Sequence, residues 1–337
     1  SRQRRQVSLK TGGRWRLACG ITEWDGGREM VTEVERRRAE VYGAEIREQL
    51  ETFAAAGWAS IPADERDAWF ERFKWWGLYH QRAGQESYFM LRIGTPNGVL
   101  APGQTALLAE IADTYARGPV SNPTFGDAYL DWTTRQSVQL HWIRLEDVPA
   151  IFERLEAAGL SAQQACGDSW RNIVGCPVAG KDRHEYVDAL PVAEGLHATY
   201  KGNEAHANLP RKWKVSVTGC REGCGQGDIN DLAFEPAYVE RGGERVRGFN
   251  LRVGGGLARN APRFATDIDV FVTPEEAIAV GGAISALFRD HGDREDRYSA
   301  RVEFRRDEWG AERFRRVVER DCVDGELQPA GTDCRAE

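Results

Sequence analysis

Residues 133–142 read TTRQSVQLHW, and their alternation decides the first half of the fold. Successive side chains of a β-strand point to opposite faces. Val138, Leu140 and Trp142 fall on one face, and Arg135, Ser137, Gln139 and His141 on the other. The stretch is therefore read as a strand from Thr133 to Ile143 with one core face and one polar face. The polar face lines up a cation, an amide and an imidazole. Such a row suits a large polyanion, because a planar guanidinium grips a carboxylate through two parallel hydrogen bonds. A solvated outer face would use the same residue types.

Outward from this strand the chain alternates strand and helix. Upstream, Ser87 to Ile93 (SYFMLRI) reads as a second strand, followed by the turn residues Pro96-Asn97-Gly98. Leu107, Leu108, Ile111 and Tyr115 mark an amphipathic helix that stops at Gly118. After the strand, Asp147 is expected to cap a helix carrying Ile151 and Leu155 and ending at Gly159. Residues 77–159 thus predict half of a ferredoxin-like α+β sandwich. Before them, residues 30–76 read as helical, with Tyr42, Ile46, Leu50 and Phe53 at helical spacing and an aromatic-rich helix after Pro62. Residues 1–29 hold two Gly-Gly pairs and no periodicity, and the first methionine is Met30. They are expected to be a disordered extension, translated from a wrong start or a true tail, that contributes nothing to the fold.

Downstream, residues 160–322 predict an α/β unit. Lys212 to Thr218, Phe249 to Val253 and Asp267 to Val272 read as strands, the second running into Gly254-Gly255-Gly256. Thr273-Pro274-Glu275-Glu276 is a capping box opening a helix to about Asp290, with Gly292 as its stop. A charged helix surrounds Trp309, Phe314 and Val318, and residues 323–337 read as a polar linker or a truncated tail. Within NLPRKWKVSVTG (208–219), the strand period puts Lys212, Lys214 and Ser216 on one face. Two lysines about 7 Å apart on one strand repel each other unless an anion sits between them. Two exposed, solvated lysines are the plainer alternative. Arg171 and Asn172 lie in a glycine-rich stretch flanked by cysteines, the kind of backbone that packs closely on a ligand or another segment.

Composition bounds the rest. The chain has 337 residues, enough for about two cores, and a formal net charge of -7, which argues against non-specific nucleic-acid binding. No run approaches a membrane span and no secretory signal is seen, so the cytoplasm is the expected compartment. The seven cysteines are Cys19, Cys166, Cys176, Cys220, Cys224, Cys322 and Cys334. An odd number without a signal peptide speaks against a disulfide framework. Cys220 and Cys224 form C-x3-C in a glycine-rich turn, and with Cys166 and Cys176 they are candidate metal ligands. Buried free thiols and a structural zinc site remain open at this point.

Several segments occur in one order: Tyr88-Phe-Met-Leu-Arg92 with Pro96-Asn-Gly98, Thr133-Thr-Arg-Gln136, Arg171-Asn172 with Cys176-Pro, Leu209-Pro-Arg-Lys-Trp-Lys214, Asn230-Asp231, and Phe249-Asn-Leu-Arg-Val-Gly-Gly-Gly256. Together, over roughly Gly77 to Asp321, they resemble the amino-terminal half of the sirohaem-dependent nitrite/sulfite reductases. The resemblance implies an α+β fold: a ferredoxin-like half-domain followed by an α/β sirohaem-binding domain. It implies that Arg92, Arg171, Lys212 and Lys214 surround the anionic substrate as catalytic residues, and that these four converge on one cleft. It likewise implies that Thr133, Arg135, Gln139 and His141, with Asn172 and Arg211, hold the carboxylates of the macrocycle. Burying those carboxylates without cations would be prohibitive.

The implied reaction is the six-electron reduction of sulfite or nitrite at sirohaem coupled to a [4Fe-4S] cluster, with ferredoxin or another electron donor as partner. Lys214 looks sulfite-type, since many nitrite-type relatives carry asparagine there. One departure stands out. The family's cluster motif, C-x5-C followed by C-x3-C, belongs to the second half, whereas Cys166 and Cys176 are nine residues apart in a position matching the first half. The cluster is therefore expected to be ligated by a missing carboxy-terminal half or second subunit, without which the chain would be inactive. A self-sufficient half-size reductase, a non-catalytic or zinc-bound module of the same fold, and a role in cobalamin synthesis are the alternatives.

Overall fold

A computed structural model of the protein describes residues 32–334 apart from 42, 82–86, 125, 258–261 and 324. The expectation for residues 1–29, and Cys19 with it, falls outside the described residues. Three helices open the fold: α1 (Glu33–Glu40), α2 (Ala44–Ala56) and α3 (Arg66–Phe73). Ile46, Leu50 and Ala54 form the buried stripe of α2, at the i, i+4, i+8 spacing that puts residues on one face. There follow β1 (Leu78–His80), β2 (Tyr88–Ile93), α4 (Pro102–Tyr115), β3 (Arg117–Asn122), β4 (Gly126–Ala128), β5 (Leu130–Trp132), β6 (Val138–Arg144) and α5 (Val148–Ala157). The order β1–β2–β6–β5 makes an antiparallel sheet, and β3 pairs with β4. In β2, Phe89, Leu91 and Ile93 enter the core while Tyr88, Met90 and Arg92 face the other way.

Two expectations are corrected here. The strand expected from Thr133 begins at Val138, and residues 133–136 form the hairpin turn from β5 to β6. Gln136 N–H donates to Thr133 O at 2.8 Å, and the Thr133 hydroxyl accepts from Ser137 N–H at 3.2 Å. A side chain that bonds its own backbone closes a turn and ends the ladder. Within β6 the alternation holds: Val138 and Leu140 are buried, and Gln139 and His141 half-buried, on the opposite face. It breaks at Trp142, whose φ of 61° and the register shift against β2 let Ile143 enter the core as well. Asp147 precedes α5 but makes no side-chain cap, because its own backbone is already helical.

The second unit holds β7 (Val174–Gly175), α6 (Leu190–Tyr200), β8 (Val215–Val217), β9 (Leu232–Arg241), β10 (Glu244–Val253), β11 (Thr266–Val272), α7 (Pro274–His291), α8 (Val302–Asp321, broken at Gly310) and β12 (Thr332–Asp333). Its sheet runs β11–β10–β9–β8–β7, with β12 also on β9. β7, β8 and β9 are parallel neighbours, and β9 to β11 are antiparallel. The strand expected from Lys212 is shorter in its ladder, Val215–Val217, with an isolated bridge between Trp170 and Trp213 extending it. At the start of α7, Glu276 reaches back to accept from Thr273 N–H at 2.9 Å, as the capping box predicts. The expected linker is corrected: Leu327 is buried, Phe271 N–H donates to Gln328 O at 2.9 Å, and β12 completes the sheet.

Two apolar cores result. One gathers residues between Ile46 and Ala162, joined by Ala207; the other runs from Trp170 to Leu327. The loop after β2 plugs the first into the second: Gly94 N–H donates to Ser161 O (3.1 Å), Asn97 N–H to Ile173 O (2.9 Å) and Asn97 Nδ2 to Cys176 O (3.0 Å). No helix among the described residues is long and apolar enough to cross a membrane.

Candidate anion and cofactor site

The site lies along the seam between the two cores, and a single amide ties its parts together. Asn172 is buried; its Oδ1 accepts from Thr95 N–H at 2.8 Å, and its Nδ2 faces the carbonyls of Thr95, Arg135 and Gln136 at 2.8, 2.9 and 3.0 Å. The turn between β5 and β6 is thereby pinned to the second unit. Arg135 projects from that turn, donating to Asn172 O at 3.0 Å and to Asn230 Oδ1. Gly254 and Gly255 bring β10 in from the other side, their N–H groups donating to Asp231 O (2.9 Å) and Asn230 O (2.8 Å). A Cβ on Gly255 would stand 2.3 Å from Asp228 O, so only glycine permits this approach.

Four more cations gather here. Arg92, on the polar face of β2, lies 3.4 Å from Cys166 Sγ and has its guanidinium over the Tyr79 ring. With its amide oriented oxygen-first, Gln139 accepts from Arg92 Nε at 3.2 Å, as expected of cross-strand partners. Arg171 donates to Gly167 O (2.9 Å) and to the Tyr79 hydroxyl (3.3 Å). Lys212 and Lys214 come in on the approach to β8, and the Lys214 N–H is held by Asp231 Oδ2 at 2.8 Å.

These charges feel one another. Burial first, and then Arg171, Arg301 and Arg92 against the opposing Asp231, pull Arg135 down to about 10. Burial, with Arg135 and Arg301, brings Lys214 to about 8, and burial with Arg171 also lowers Lys212. Lys201, at the end of α6, donates to Trp170 O at 3.2 Å and falls to about 7 through burial and its neighbours Arg171 and Arg92. Two cations go the other way: Asp231 Oδ1 (2.8 Å) and Glu303 (3.3 Å) compensate Arg301, and burial at Arg171 is outweighed by Tyr79 and Cys166, which raise it. Arg92, Arg135, Arg171, Lys201, Lys212 and Lys214 have no ion-pair partner among the described residues. Six cations with no ion-pair partner, of which burial and like charge pull down Arg135, Lys201, Lys212 and Lys214, form a site for a polyanion or for an anion together with one. A carboxylate-rich macrocycle such as sirohaem fits this donor set.

The placement of the other expected residues varies. Arg92, Arg171, Lys212 and Lys214 come together, although they arise from separate segments. Gln139 and His141 share a face of β6, but Arg135 reaches the site from the turn and not by strand alternation. His141 is occupied by Asp131 at 2.8 Å and Gln81 at 3.1 Å, and it stacks on Tyr129. Thr133 spends its hydroxyl within the turn. Arg211 pairs with the buried Asp168 at 3.3 Å. The amide of Asn172 is fully engaged with backbone. Sequence reasoning missed Lys201, Tyr79, Asp231 and Arg301. Only Asp231 sat in a quoted segment, and Lys201 follows a helix that the pattern did not reveal.

The four cysteines expected as one ligand set do not assemble. Cys176 and Cys220 approach each other with Asp182, their ligand atoms all within 4.8 Å, and Cys224 lies close enough for its charge to act on both thiols. Cys166 stands apart, its thiol on Gly77 O at 3.5 Å beside Arg92. Bridges at Trp170↔Trp213 and Gly175↔Val217 show why: Cys166 precedes this run of strand and Cys176 follows it, about 16 Å of extended chain later. A cubane cluster bound by these four residues does not fit. Burial, followed by the neighbouring Cys220 and Cys224, pushes Cys176 up to about 11.

Two family models match the chain. "Nitrite and sulphite reductase 4Fe-4S domain" covers residues 166–323, and "Nitrite/Sulfite reductase ferredoxin-like half domain" covers 80–121 and 123–158. The chain is 51% identical over 309 residues to the assimilatory ferredoxin-dependent nitrite reductase of Haloferax mediterranei, covering 91% of this chain and 53% of that protein. It is 33% identical over 339 residues to sulfite reductase [ferredoxin] 1 of Mycolicibacterium paratuberculosis, covering 96% of this chain and 56% of the relative. Among solved structures, Mycobacterium tuberculosis NirA superposes with a TM-score of 0.80 at 32% identity, over 90% of this chain and 55% of that one. The chain thus spans about half the length of the relatives it matches.

Proposed function

This chain belongs to the sirohaem nitrite/sulfite reductase family, and from that premise we propose that it forms the substrate-binding wall of an enzyme reducing nitrite or sulfite. The observation that carries the reading is the group of six cations at the seam with no ion-pair partner among the described residues. Bound there, sirohaem would supply the redox chemistry, and its carboxylates would supply the missing negative charge. Arg135, half-buried and fixed by Asn172 and Asn230, is the cation suited to a macrocycle carboxylate. Arg92 and Arg171, oriented by Gln139, Gly167 and Tyr79, hold the oxygens of the small anion. Lys212 and Lys214 complete the pocket, and a lysine near pKa 8 gives up a proton readily at neutral pH. Each oxygen that leaves as water needs such a proton, and the cations stabilise the charge that develops on it. Asn172 acts by position, locking the Arg135 turn, and Arg211 acts through Asp168.

We further propose that a second unit of similar size supplies the remaining wall and the thiolates of the [4Fe-4S] cluster, and that ferredoxin delivers the electrons. The half-length match to the relatives and the dispersal of the four cysteines support this. For the anion, the 51% identity to a nitrite reductase favours nitrite; Lys214 supports sulfite as the second reading. The test is a pair of kcat/KM values, for nitrite and for sulfite, on the holoenzyme with reduced ferredoxin or viologen. Lys214→Ala and Arg171→Ala should each lower the preferred value at least ~100-fold while leaving the sirohaem absorption in place. Variants of near wild-type activity would sink the assignment.

A further inference from the structure

The cysteines that fail to build a cluster form something else. Cys176 leaves the carboxyl end of β7, and Cys220 leaves that of β8, its immediate parallel neighbour (Gly175↔Val217). In open α/β sheets the carboxyl edge of adjacent parallel strands is where ligands are bound. The loop between Cys176 and Val187 folds back over this edge. Ala179 N–H donates to Cys176 O (3.1 Å), Asp182 N–H to Val178 O (3.0 Å), and Val187 N–H to Gly219 O (3.2 Å). Glu185 braces the fold by accepting from Gly180 N–H at 2.7 Å. The result sets the Asp182 carboxylate against two buried thiols, all three donor atoms within 4.8 Å. Asp182 is oriented from behind, since His184 N–H donates to its Oδ1 at 2.9 Å. Cys224, exposed and four residues beyond Cys220 in the C-x3-C spacing, offers the fourth corner.

We propose that Cys176, Cys220, Cys224 and Asp182 bind one thiophilic divalent cation, zinc, at a site separate from the cation-lined seam. Tetrahedral zinc with bonds of about 2.3 Å to sulfur and about 2.1 Å to oxygen places its ligand atoms roughly 3.5–3.8 Å apart. The three atoms already gathered need only a small contraction to meet that geometry. Three thiolates and one carboxylate suit zinc better than an iron–sulfur cubane, which takes four thiolates. The site lies at the opposite end of the strand from Arg171. Its part is to fasten the 176–187 loop to the 219–224 turn, both held otherwise by a few backbone hydrogen bonds.

The proposal stands apart from the proposed reaction, because metal content is read without any substrate. The protein is purified anaerobically without chelator or metal-affinity tag, and zinc and iron are counted by mass spectrometry. We expect about one zinc per chain beyond any redox iron, falling roughly tenfold in Cys220→Ser and Asp182→Asn. Replacement by Co²⁺ should give the near-ultraviolet thiolate-to-cobalt absorption, and Cys224→Ser, a change at an exposed position, should weaken that band without loss of fold. Three results overturn the inference: no zinc and no cobalt band in the wild-type protein, iron with acid-labile sulfide that disappears in Cys220→Ser, or a Cys176–Cys220 disulfide found by peptide mapping of metal-free protein.

Discussion

The Asn172 side chain spans two units with four short contacts, and it does so from complete burial. Removing it leaves Thr95 N–H and three carbonyls without their partner, so Asn172→Ala should cost about 2–4 kcal/mol in urea unfolding. Asn172→Asp should cost more, since a carboxylate would face the Thr95, Arg135 and Gln136 carbonyls. Both should also weaken binding of a polyanion, because Arg135 is placed by the same turn. An unfolding midpoint within about 0.5 kcal/mol of wild type would contradict the clamp. The sequence made Arg171-Asn172 conspicuous through the glycines and cysteines around it, and the conclusion that something packs closely there was right. It did not reveal that the amide faces inward, because the partner it accepts from lies 77 residues away in the chain. The same holds for Cys166 and Cys176: their spacing in sequence says nothing of the strand that separates them.

At the scale of elements, legibility follows amphipathicity. β2 and β6 each bury one face, so their period of two was visible, and so was the stripe of α2. β9 was invisible: residues 232–238 are buried on both faces, and a strand of that kind has no alternation to read. The hairpin turn at 133–136 was misread as strand because polar residues in a turn imitate the polar half of an alternating pattern. Residues 323–337 read as a linker on their polarity, yet Leu327 anchors them in the second core, with Val323 and Cys334 also buried. Leu327→Asp should therefore destabilise the protein by at least ~2 kcal/mol, whereas Glu326→Ala, one residue before it and exposed, should change stability by less than about 0.5 kcal/mol. Equal, near-zero effects in thermal melts would restore the linker reading.

Across the whole molecule, two apolar cores meet at a positively charged seam, and that has a pH signature. Lys201 and Lys214 have folded-state pKa values of about 7 and about 8, below the 10.5 of an unperturbed lysine. Above pH 7 the unfolded chain therefore holds protons on these lysines that the folded one has lost, and they make stability rise with pH until, near pH 9, the buried thiols, with Cys176 at about 11, begin to oppose them. Cofactor-free protein should melt at progressively higher temperature from pH 7 towards pH 9. Lys201→Met should flatten the rise. A melting temperature that falls over this range in the wild type would contradict the repulsion. The resemblance carried the convergence of Arg92, Arg171, Lys212 and Lys214 better than any local pattern, because four short segments in fixed order encode a tertiary arrangement that no single one displays. The two cores have a further consequence, in time and not in space. Every buried residue of the first core except Ala207 has been synthesised by Ala162, while the second core is not complete until Leu327. A ribosome delivering roughly 5–20 residues per second gives the amino-terminal unit several seconds to fold before Lys214, the last of the six cations, is added. The order of translation thus lets the like charges meet last, against a surface already in shape.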